Sequence, residues 1–393
     1  MDLLLTNMTG LLVVAVLVAL VARRLALPYT VGLVIAGVAI VISGVGAELP
    51  LTHDFIFDVI LPPLLFEAAI NIHWRELYRD AAPVLVLAVF GTVISAATVA
   101  AGMAYGLGWP AAPAVLFGVL IAATDPVAVI AMFKDSKVEG RLRLLVESES
   151  LLNDGVAAVL FSLVLVWAEH GVTETPAAIG LALLISAGGG IIAGLAVAIG
   201  VIGIAGRTSD HLVESTMTAI GAYGSFLLAE RFHCSGVLAT VAAGLVIGNA
   251  GPRGISEQAR SFMIDLWEFV AFVANSVIFL LIGMSVGDVT FERVGLGSIL
   301  AVIGFVLLGR ALTVYPLCAG FRWSRRAIPL PMQHVLWWGG LRGALALALA
   351  LSLPASLPYH REILILTFAV VVFSVVGQGL TMTRLLRRFG FLR

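Results

Sequence analysis

The sequence predicts an all-α polytopic membrane protein with about thirteen transmembrane helices, and three observations support this class. Hydrophobic residues make up 60% and charged residues 12% of the 393 residues, whereas about 25% of the residues in soluble proteins are charged. The mean hydropathy is +1.07. Long apolar segments also follow one another with short connections, and no soluble domain interrupts them.

Each apolar segment is interpreted as one span, with ends that are uncertain by a few residues. The N-terminus lacks the basic region and the cleavage site of a signal peptide, so we expect the first segment to stay in the membrane. Residues 1–393 are therefore interpreted as a single membrane domain without a soluble tail. The predicted spans lie at 9–22, 27–43, 53–72, 81–107, 112–133, 142–168, 177–205, 214–230, 235–250, 264–286, 294–320, 331–353 and 362–386.

The distribution of lysine and arginine predicts the orientation of the chain. With the N-terminus outside and alternating spans, eighteen of the 23 Lys and Arg residues fall in cytoplasmic connections and three fall outside. Arg310 and Arg342 fall within spans. Because cytoplasmic loops carry the excess of positive charge in membrane proteins, the asymmetry supports an odd number of spans and a cytoplasmic C-terminus in the cell membrane.

The sixth span begins with an unusual set of polar groups. In an otherwise apolar helix it contains Glu147, Ser148, Glu149, Ser150, Asn153 and Asp154. Asp154 lies about 16 Å along the helix from Arg143, near the middle of a hydrocarbon core of about 30 Å. An ionisable group at this depth is expensive and indicates a functional site, commonly one that carries a cation or a proton.

The fifth and twelfth spans contain features that break helices. Asp125 is followed by Pro126, and Arg342 lies among the glycines of 339–343. Proline removes a backbone donor, and glycine weakens a helix. Because the two spans are seven apart, they run in opposite directions, which matches an inverted repeat of spans 1–6 and 8–13. Paired broken helices of this kind indicate the binding site of a transporter.

The polar groups of the fifth and sixth spans are expected to meet. Helical rise places Asp125 at the depth of Asp154, and Ser150 shares one flank of the sixth span with Asn153 and Asp154. Carboxylates, hydroxyls such as that of Thr124 and the free carbonyls of a broken helix suit a hard cation such as Na⁺. We therefore expect a transported cation and proton and no cofactor. The net charge of −1 argues against a nucleic-acid partner.

Taken together, these motifs resemble those of cation:proton antiporters of the sodium–proton exchanger type, the NhaP/NHE branch, over essentially the whole chain. The resemblance implies a homodimer with a moving transport core and a dimerisation region. We assign spans 3–6 and 10–13 to a core-rich region and spans 1, 2 and 7–9 to the dimerisation region. The matching segments are Leu61-Pro62-Pro63-Leu64-Leu65-Phe66-Glu67, Thr124-Asp125-Pro126, Glu149, Asn153-Asp154, Ser235-Gly236-Val237-Leu238-Ala239, Gly309-Arg310-Ala311-Leu312 and Gly339-Gly340-Leu341-Arg342-Gly343-Ala344.

The resemblance also implies roles for individual residues. Asp154 is expected to be the essential carboxylate that binds either the cation or the proton. Asp125, Thr124 and Ser150 are expected to contribute to the Na⁺ site. Asn153 is expected to stabilise the broken helix as a neutral group. Glu67 is either an ion ligand or an entrance residue whose side chain extends toward the interface.

Two arginines within spans need partners, because a buried charge must be paired. The resemblance implies that Glu149 and Arg342 form a structural ion pair that holds the sixth span against the twelfth. Arg310 is expected to extend to the interface or to pair with Glu268 or Asp265.

The predicted function is electroneutral exchange of Na⁺, and also of Li⁺, for H⁺, since the Asn-Asp pair resembles that of the electroneutral branch. K⁺/H⁺ exchange or mixed specificity stays open, because these ions use the same oxygen chemistry. A channel would need repeated filter elements, and an organic-solute carrier would need aromatic or polar clusters at the breaks. The sequence shows neither of these, and it shows no motif of an intramembrane enzyme.

Overall fold

The structure is a computed structural model, and it confirms the all-α class. The residues that it describes form helices and their connections, and they contain no β-strand. These residues are 2–25, 28–43, 52–125, 129–130, 133, 138–171, 176–208, 210–250, 255–288 and 294–392.

The helices are numbered in chain order. The described residues also contain four short π-helical turns, at Phe55–Ile60, Gly102–Gly106, Ile220–Gly224 and Phe373–Gln378. The helices are α1 Asp2–Leu25, α2 Tyr29–Ile42, α3 Leu61–Asn71, α4 Trp74–Gly106, α5 Ala111–Leu120, α6 Arg141–His170, α7 Pro176–Ala205, α8 His211–Arg231, α9 Gly236–Gly248, α10 Glu257–Asp288, α11 Leu296–Gly320, α12 Leu330–Trp338, α13 Ala344–Leu351 and α14 His360–Arg388.

Seven helices in the described part of the chain are long and apolar enough to cross a membrane. They are α4, α6, α7, α8, α10, α11 and α14. The fifth predicted span contains α5, which already ends at Leu120, and the twelfth is divided into α12 and α13. Helix breaks therefore lie at both predicted places, and the total of thirteen spans stays a prediction.

The helices pack in two groups. One group contains α4, α5 and α6 together with α11 to α14, with α4 packed against α5, α6 and α11. The other contains α1, α2 and α3 together with α7 to α10, with α9 packed against α3 and α7. The main neighbours of α10 are α2, α3 and α8. Packing thus places spans 3 and 10 beside spans 1, 2 and 7–9. The division into a core-rich region and a dimerisation region stays a prediction.

The contact between α2 and α10 shows how two helices of the second group come together. Gly37 of α2 and Gly283 of α10 bring the two backbones together, because a Cβ at Gly37 would lie 2.9 Å from the Gly283 Cα. Small residues allow such close approach between membrane helices. Hydropathy reports that a segment is apolar, whereas the partner of a helix depends on the shape of its surface. Which helices move as a unit stays a prediction.

An arginine at the start of α6 joins three parts of the first group. The Arg141 guanidinium donates to the Asp80 carboxylate of α4, with 2.7 Å between Arg141 Nη2 and Asp80 Oδ1. The same guanidinium donates to the carbonyls of Arg326 and Ala327, each at 2.7 Å. It therefore fixes α4, α6 and the connection between α11 and α12 at one end of the molecule.

Candidate ion-binding site

Two non-helical segments meet where α5 and α12 end. After α5 the chain is non-helical at residues 123–125, and after α12 it is non-helical at 340–343 before α13 begins. The Asp125 N–H donates to the Leu341 carbonyl at 2.8 Å. The two breaks are therefore in direct main-chain contact. Pro126, the residue on which the first break was predicted, lies outside the described residues.

Each break places a charged side chain at the end of the opposite half-helix. Asp125 Oδ2 accepts from the Ala344 N–H, 3.4 Å away, at the N-terminus of α13. Arg342 Nη1 donates to the carbonyls of Ala122 and Ala123, the latter at 2.9 Å, just beyond the C-terminus of α5. A carboxylate at a helix N-terminus and a cation at a C-terminus both offset the helix dipole. The two breaks therefore stabilise each other.

Position 343 between these groups must be glycine. A Cβ at Gly343 would overlap the Asp125 carboxylate. The absent side chain lets the carboxylate approach the N-terminus of α13.

Polar side chains of α6 hold the first break in place. The Asn153 Oδ1 accepts from the Thr124 N–H at 3.1 Å, and Asn153 Nδ2 donates to the Thr124 hydroxyl. The Ser150 hydroxyl donates to the Thr124 carbonyl and lies 3.0 Å from the Thr124 hydroxyl. All three residues are buried. Ser150 and Asn153 thus satisfy main-chain groups that the broken helix leaves free.

The predicted pairing of Glu149 with Arg342 is corrected by the structure. Glu149 pairs with Arg310 of α11, with two parallel bonds of 2.8 Å between the guanidinium and the two carboxylate oxygens. Arg310 also donates to the Leu336 carbonyl at the end of α12, and Asn153 Nδ2 lies 3.2 Å from Glu149 Oε1. The expected partners of Arg310, Glu268 and Asp265, lie on α10 in the other packing group.

The different surroundings of the two arginine side chains account for this difference. Arg310 and Arg342 are both buried, with 6% and 1% of their surfaces exposed, so burial does not distinguish them as partners of Glu149. The Arg310 side chain packs against Gly340, because a Cβ at position 340 would lie about 3.0 Å from Arg310 Cδ. Its guanidinium contacts Glu149 of α6. Arg342 instead faces the half-helix α5. Its Nε and Nη2 atoms have no hydrogen-bond partner among the described residues.

Asp154 lies on the wall of a cavity of about 200 Å³ between the two packing groups. We name this space the central cavity. Only 7% of Asp154 is exposed, and its Oδ1 has no hydrogen-bond partner in the described part of the chain. Asp125, Thr124 and Glu67 line the same cavity. Of the predicted ion-site residues, Ser150 and Asn153 contact Thr124 and are not part of the described lining.

Glu67 also has a local partner. Asn71, one turn further along α3, donates from Nδ2 to Glu67 Oε1 at 3.0 Å and to the Glu67 carbonyl at 2.8 Å. The structure therefore places Glu67 at the central cavity, where both predicted roles, ion ligand and entrance residue, stay open.

The opposite wall of the central cavity contains polar residues that the sequence analysis did not assign to the ion site. They belong to α2 and α10 and are Tyr29, Thr30, Glu268 and Asn275. The available signal was a polar residue within an apolar stretch, such as Asn275 in Val273-Ala274-Asn275-Ser276-Val277. Among the described residues, no group of three His, Cys, Asp or Glu side chains is arranged to hold a resident metal ion.

Comparison with known proteins extends these observations. The family described as "Sodium/hydrogen exchanger, transmembrane" matches residues 12–388. The chain is 38% identical to the Na(+)/H(+) antiporter ApNhaP of Aphanothece halophytica, over 93% of this chain and 70% of that protein. It is 33% identical to the Na(+)/H(+) antiporter NhaH of Halobacillus aidingensis, over 97% and 96% of the two chains.

A solved structure shows the same fold. The sodium proton antiporter MjNhaP1 of Methanocaldococcus jannaschii at pH 8 superposes with a TM-score of 0.75. The match covers 98% of this chain and 99% of that chain, at 21% sequence identity.

Proposed function

Because this chain belongs to the transmembrane sodium/hydrogen exchanger family, we propose that it exchanges Na⁺ for H⁺ with Asp154 as the alternating binding group. Family membership makes it a multi-pass membrane protein that exchanges a cation for protons. The choice of Na⁺, the stoichiometry and the role of Asp154 are the proposal. The observation that carries it is the buried Asp154 oxygen at the central cavity, which has no partner among the described residues.

A buried oxygen without a partner destabilises the protein unless something binds to it. A proton or a cation on Asp154 removes that cost, and each excludes the other. Asp125 and Thr124 line the same cavity and supply further oxygen atoms of the kind that hard cations prefer. The Ser150 hydroxyl lies 3.0 Å from the Thr124 hydroxyl. These groups support a single site shared by cation and proton.

The neighbours of Asp154 support one-for-one exchange. Asn153 is an amide and does not titrate, and Glu149 is neutralised by a paired guanidinium. Asp125 is bound to the N-terminus of α13, an environment that stabilises the ionised carboxylate. Of these four residues, Asp154 is the one that we propose changes its occupant, which supports the same charge on the site in both directions.

Flux measurements in proteoliposomes test the ion selectivity. The purified protein is reconstituted with an internal pH dye, and gradients of Na⁺, Li⁺ and K⁺ are imposed separately. Proton movement that follows Na⁺ and Li⁺ and is absent with K⁺ is the expected result. Exchange driven by K⁺ alone would replace Na⁺ with K⁺ as the transported ion, and absence of proton movement with all three ions would refute the proposed function.

A second measurement tests the stoichiometry. Transfer of one net charge against 100 mV costs about 2.3 kcal/mol, so electrogenic exchange must respond to an imposed potential. We expect the rate of Na⁺-driven proton flux to stay unchanged when a potassium potential is set with valinomycin at either sign. A rate that rises with one sign and falls with the other would contradict one-for-one exchange.

A further inference from the structure

Two residues on the wall of the central cavity opposite Asp154 also have a buried side-chain oxygen without a hydrogen-bond partner among the described residues. Thr30 of α2 is 1% exposed, and its hydroxyl has no hydrogen-bond partner among the described residues. The same holds for the buried side-chain oxygen of Asn275 on α10. Thr30, Asn275 and Asp154 all line this one cavity. Three residues from three helices thus line one cavity, and each has a buried side-chain oxygen without a partner among the described residues.

The residues next to Thr30 and Asn275 show that missing hydrogen-bond partners are not a general property of the polar side chains on this wall. Tyr29 precedes Thr30, and Ser276 follows Asn275. Their hydroxyls bind each other at 2.6 Å, and the Tyr29 ring stacks on Phe272 with 5.3 Å between centroids. The same two helices therefore satisfy one pair of polar side chains internally and leave the adjacent pair, at the cavity wall, without hydrogen-bond partners among the described residues.

The chemistry of the cavity selects its occupant. A hydroxyl and an amide oxygen are neutral hard ligands, which suit alkali cations and water. The carboxylates of Asp125 and Asp154 on the facing wall favour a cation over an anion. A cavity of about 200 Å³ has room for about six waters at roughly 30 Å³ each. A cation in this space therefore keeps part of its hydration shell.

We propose that Thr30 and Asn275 form a subsite that binds the partly hydrated monovalent cation before it reaches Asp154. This inference rests on the proposed function and adds residues from the second packing group to the cation path. The Thr30 hydroxyl and the Asn275 amide oxygen contact the cation or its waters and lower the cost of its dehydration. Thr30 and Asn275 take no part in proton binding, so they set the apparent affinity for the cation and leave the maximal rate unchanged.

The subsite has a fixed position relative to the rest of its wall. Thr30 and Asn275 stand on the two helices that Gly37 and Gly283 bring into backbone contact. Asp154, in contrast, stands on α6 among helices of the first packing group. A cation between the two walls is therefore expected to contact oxygens from both packing groups. Neither wall alone provides this set of ligands.

The test compares Thr30→Val and Asn275→Leu with wild type in proteoliposomes that contain a pH dye, over a range of Na⁺ concentrations. Each substitution keeps the side-chain volume and removes the oxygen. We expect KM for Na⁺ to rise about tenfold in each variant, the factor that corresponds to about 1.4 kcal/mol, with kcat within twofold of wild type. Thr30→Ser, which retains the hydroxyl, is expected to restore KM.

Ser374→Ala is the matched control, because Ser374 is also buried with an unpartnered hydroxyl but does not belong to the described lining of the cavity. Its KM is expected to equal that of wild type. Asn275→Asp keeps the oxygen and adds negative charge, so it is expected to lower KM for Na⁺. This variant tests the inference even if Asn275→Leu fails to fold.

The outcomes separate the inference from the proposed function. Unchanged KM in Thr30→Val and Asn275→Leu, while wild type exchanges Na⁺ for H⁺, would assign the two oxygens to ordinary buried water and overturn the subsite. A fall in kcat and melting temperature at constant KM would show a structural role and would also overturn it. Wild-type vesicles without any exchange would instead refute the proposed function.

Discussion

Glu149 and Asp154 are two carboxylates of the same helix, five residues apart, and they lie in opposite environments. Both oxygens of Glu149 accept bonds of 2.8 Å from the Arg310 guanidinium. Asp154 is nearly as deeply buried, at 7% exposed against 2% for Glu149. Asp154 lines the central cavity, however, and its buried Oδ1 has no partner among the described residues.

The difference indicates how one helix can carry both a structural and an exchangeable charge. A carboxylate that is bound at both oxygens by a guanidinium keeps its charge and its position. A carboxylate with a free oxygen has capacity left for a proton or a cation. Burial alone therefore does not identify the functional group, because both residues are buried. The number of partners distinguishes them.

Removal of the Asp154 charge is expected to have the largest effect on transport. In Asp154→Asn the amide cannot bind and release a proton, so Na⁺-driven proton flux is expected to fall to the level of protein-free vesicles. The melting temperature in detergent should stay within a few degrees of wild type, because Asp154 Oδ1 holds no described partner. Flux with a pH dye and thermal unfolding followed by fluorescence measure the two properties.

A variant that still exchanges Na⁺ for H⁺ at the wild-type rate would remove Asp154 from the mechanism. Ser374→Ala serves here too as the control, since it tests whether loss of a buried polar group alone reduces flux.

Loss of the Arg310 guanidinium is expected to have the largest effect on stability. Arg310→Ala leaves the Glu149 carboxylate buried without its partner, and breaking a buried ion pair costs about 3–5 kcal/mol. We expect a marked fall in melting temperature relative to both wild type and Asp154→Asn. Arg325→Ala, at an exposed arginine, is the control and is expected to change stability by less than about 0.5 kcal/mol.

A double variant sharpens this result. Replacement of both members of a buried pair by apolar residues is often close to neutral, so Glu149→Leu with Arg310→Met should recover part of the lost stability. If the single and double variants melt together with wild type, the pair makes no contribution to stability.

Substitution of Arg342 is expected to have a smaller effect on stability than substitution of Arg310. Arg342 donates to two carbonyls rather than to a carboxylate, and hydrogen bonds to charged groups contribute about 1.5–3 kcal/mol. Arg342→Ala should therefore lower the melting temperature by less than Arg310→Ala does. The reverse order would restore the pairing of Glu149 with Arg342 that the sequence suggests. Thermal unfolding of both variants in the same detergent decides between the two.

The membrane class, the succession of helices and the position of both breaks could be predicted because each leaves a local signal. Apolar length predicts a span, and proline or clustered glycine predicts a break. The meeting of groups from the fifth and sixth spans could be predicted as well, because helical rise is constant. Asp125, Thr124 and Asp154 were placed together on this basis, and the structure brings all three to the central cavity.

The partner of Glu149 and the second wall of the cavity could not be predicted in this way. Hydropathy and rise give the depth of a side chain but not the direction in which it points around the helix axis. Arg310 and Arg342 are both buried arginines within predicted spans, and only the packing of α11 against α4 and α12 selects between them. Thr30 and Asn275 depend likewise on the close approach of α2 and α10 at Gly37 and Gly283.

The contact between Gly340 and Arg310 makes these two positions interdependent. Any side chain at 340 would displace the Arg310 guanidinium, and with it the charge that balances Glu149 on a third helix. A substitution that alters only volume at one site thus produces an electrostatic defect at another that it never touches. Positions 340 and 310 therefore constitute an epistatic pair, in which the tolerance of one residue is set by the identity of the other.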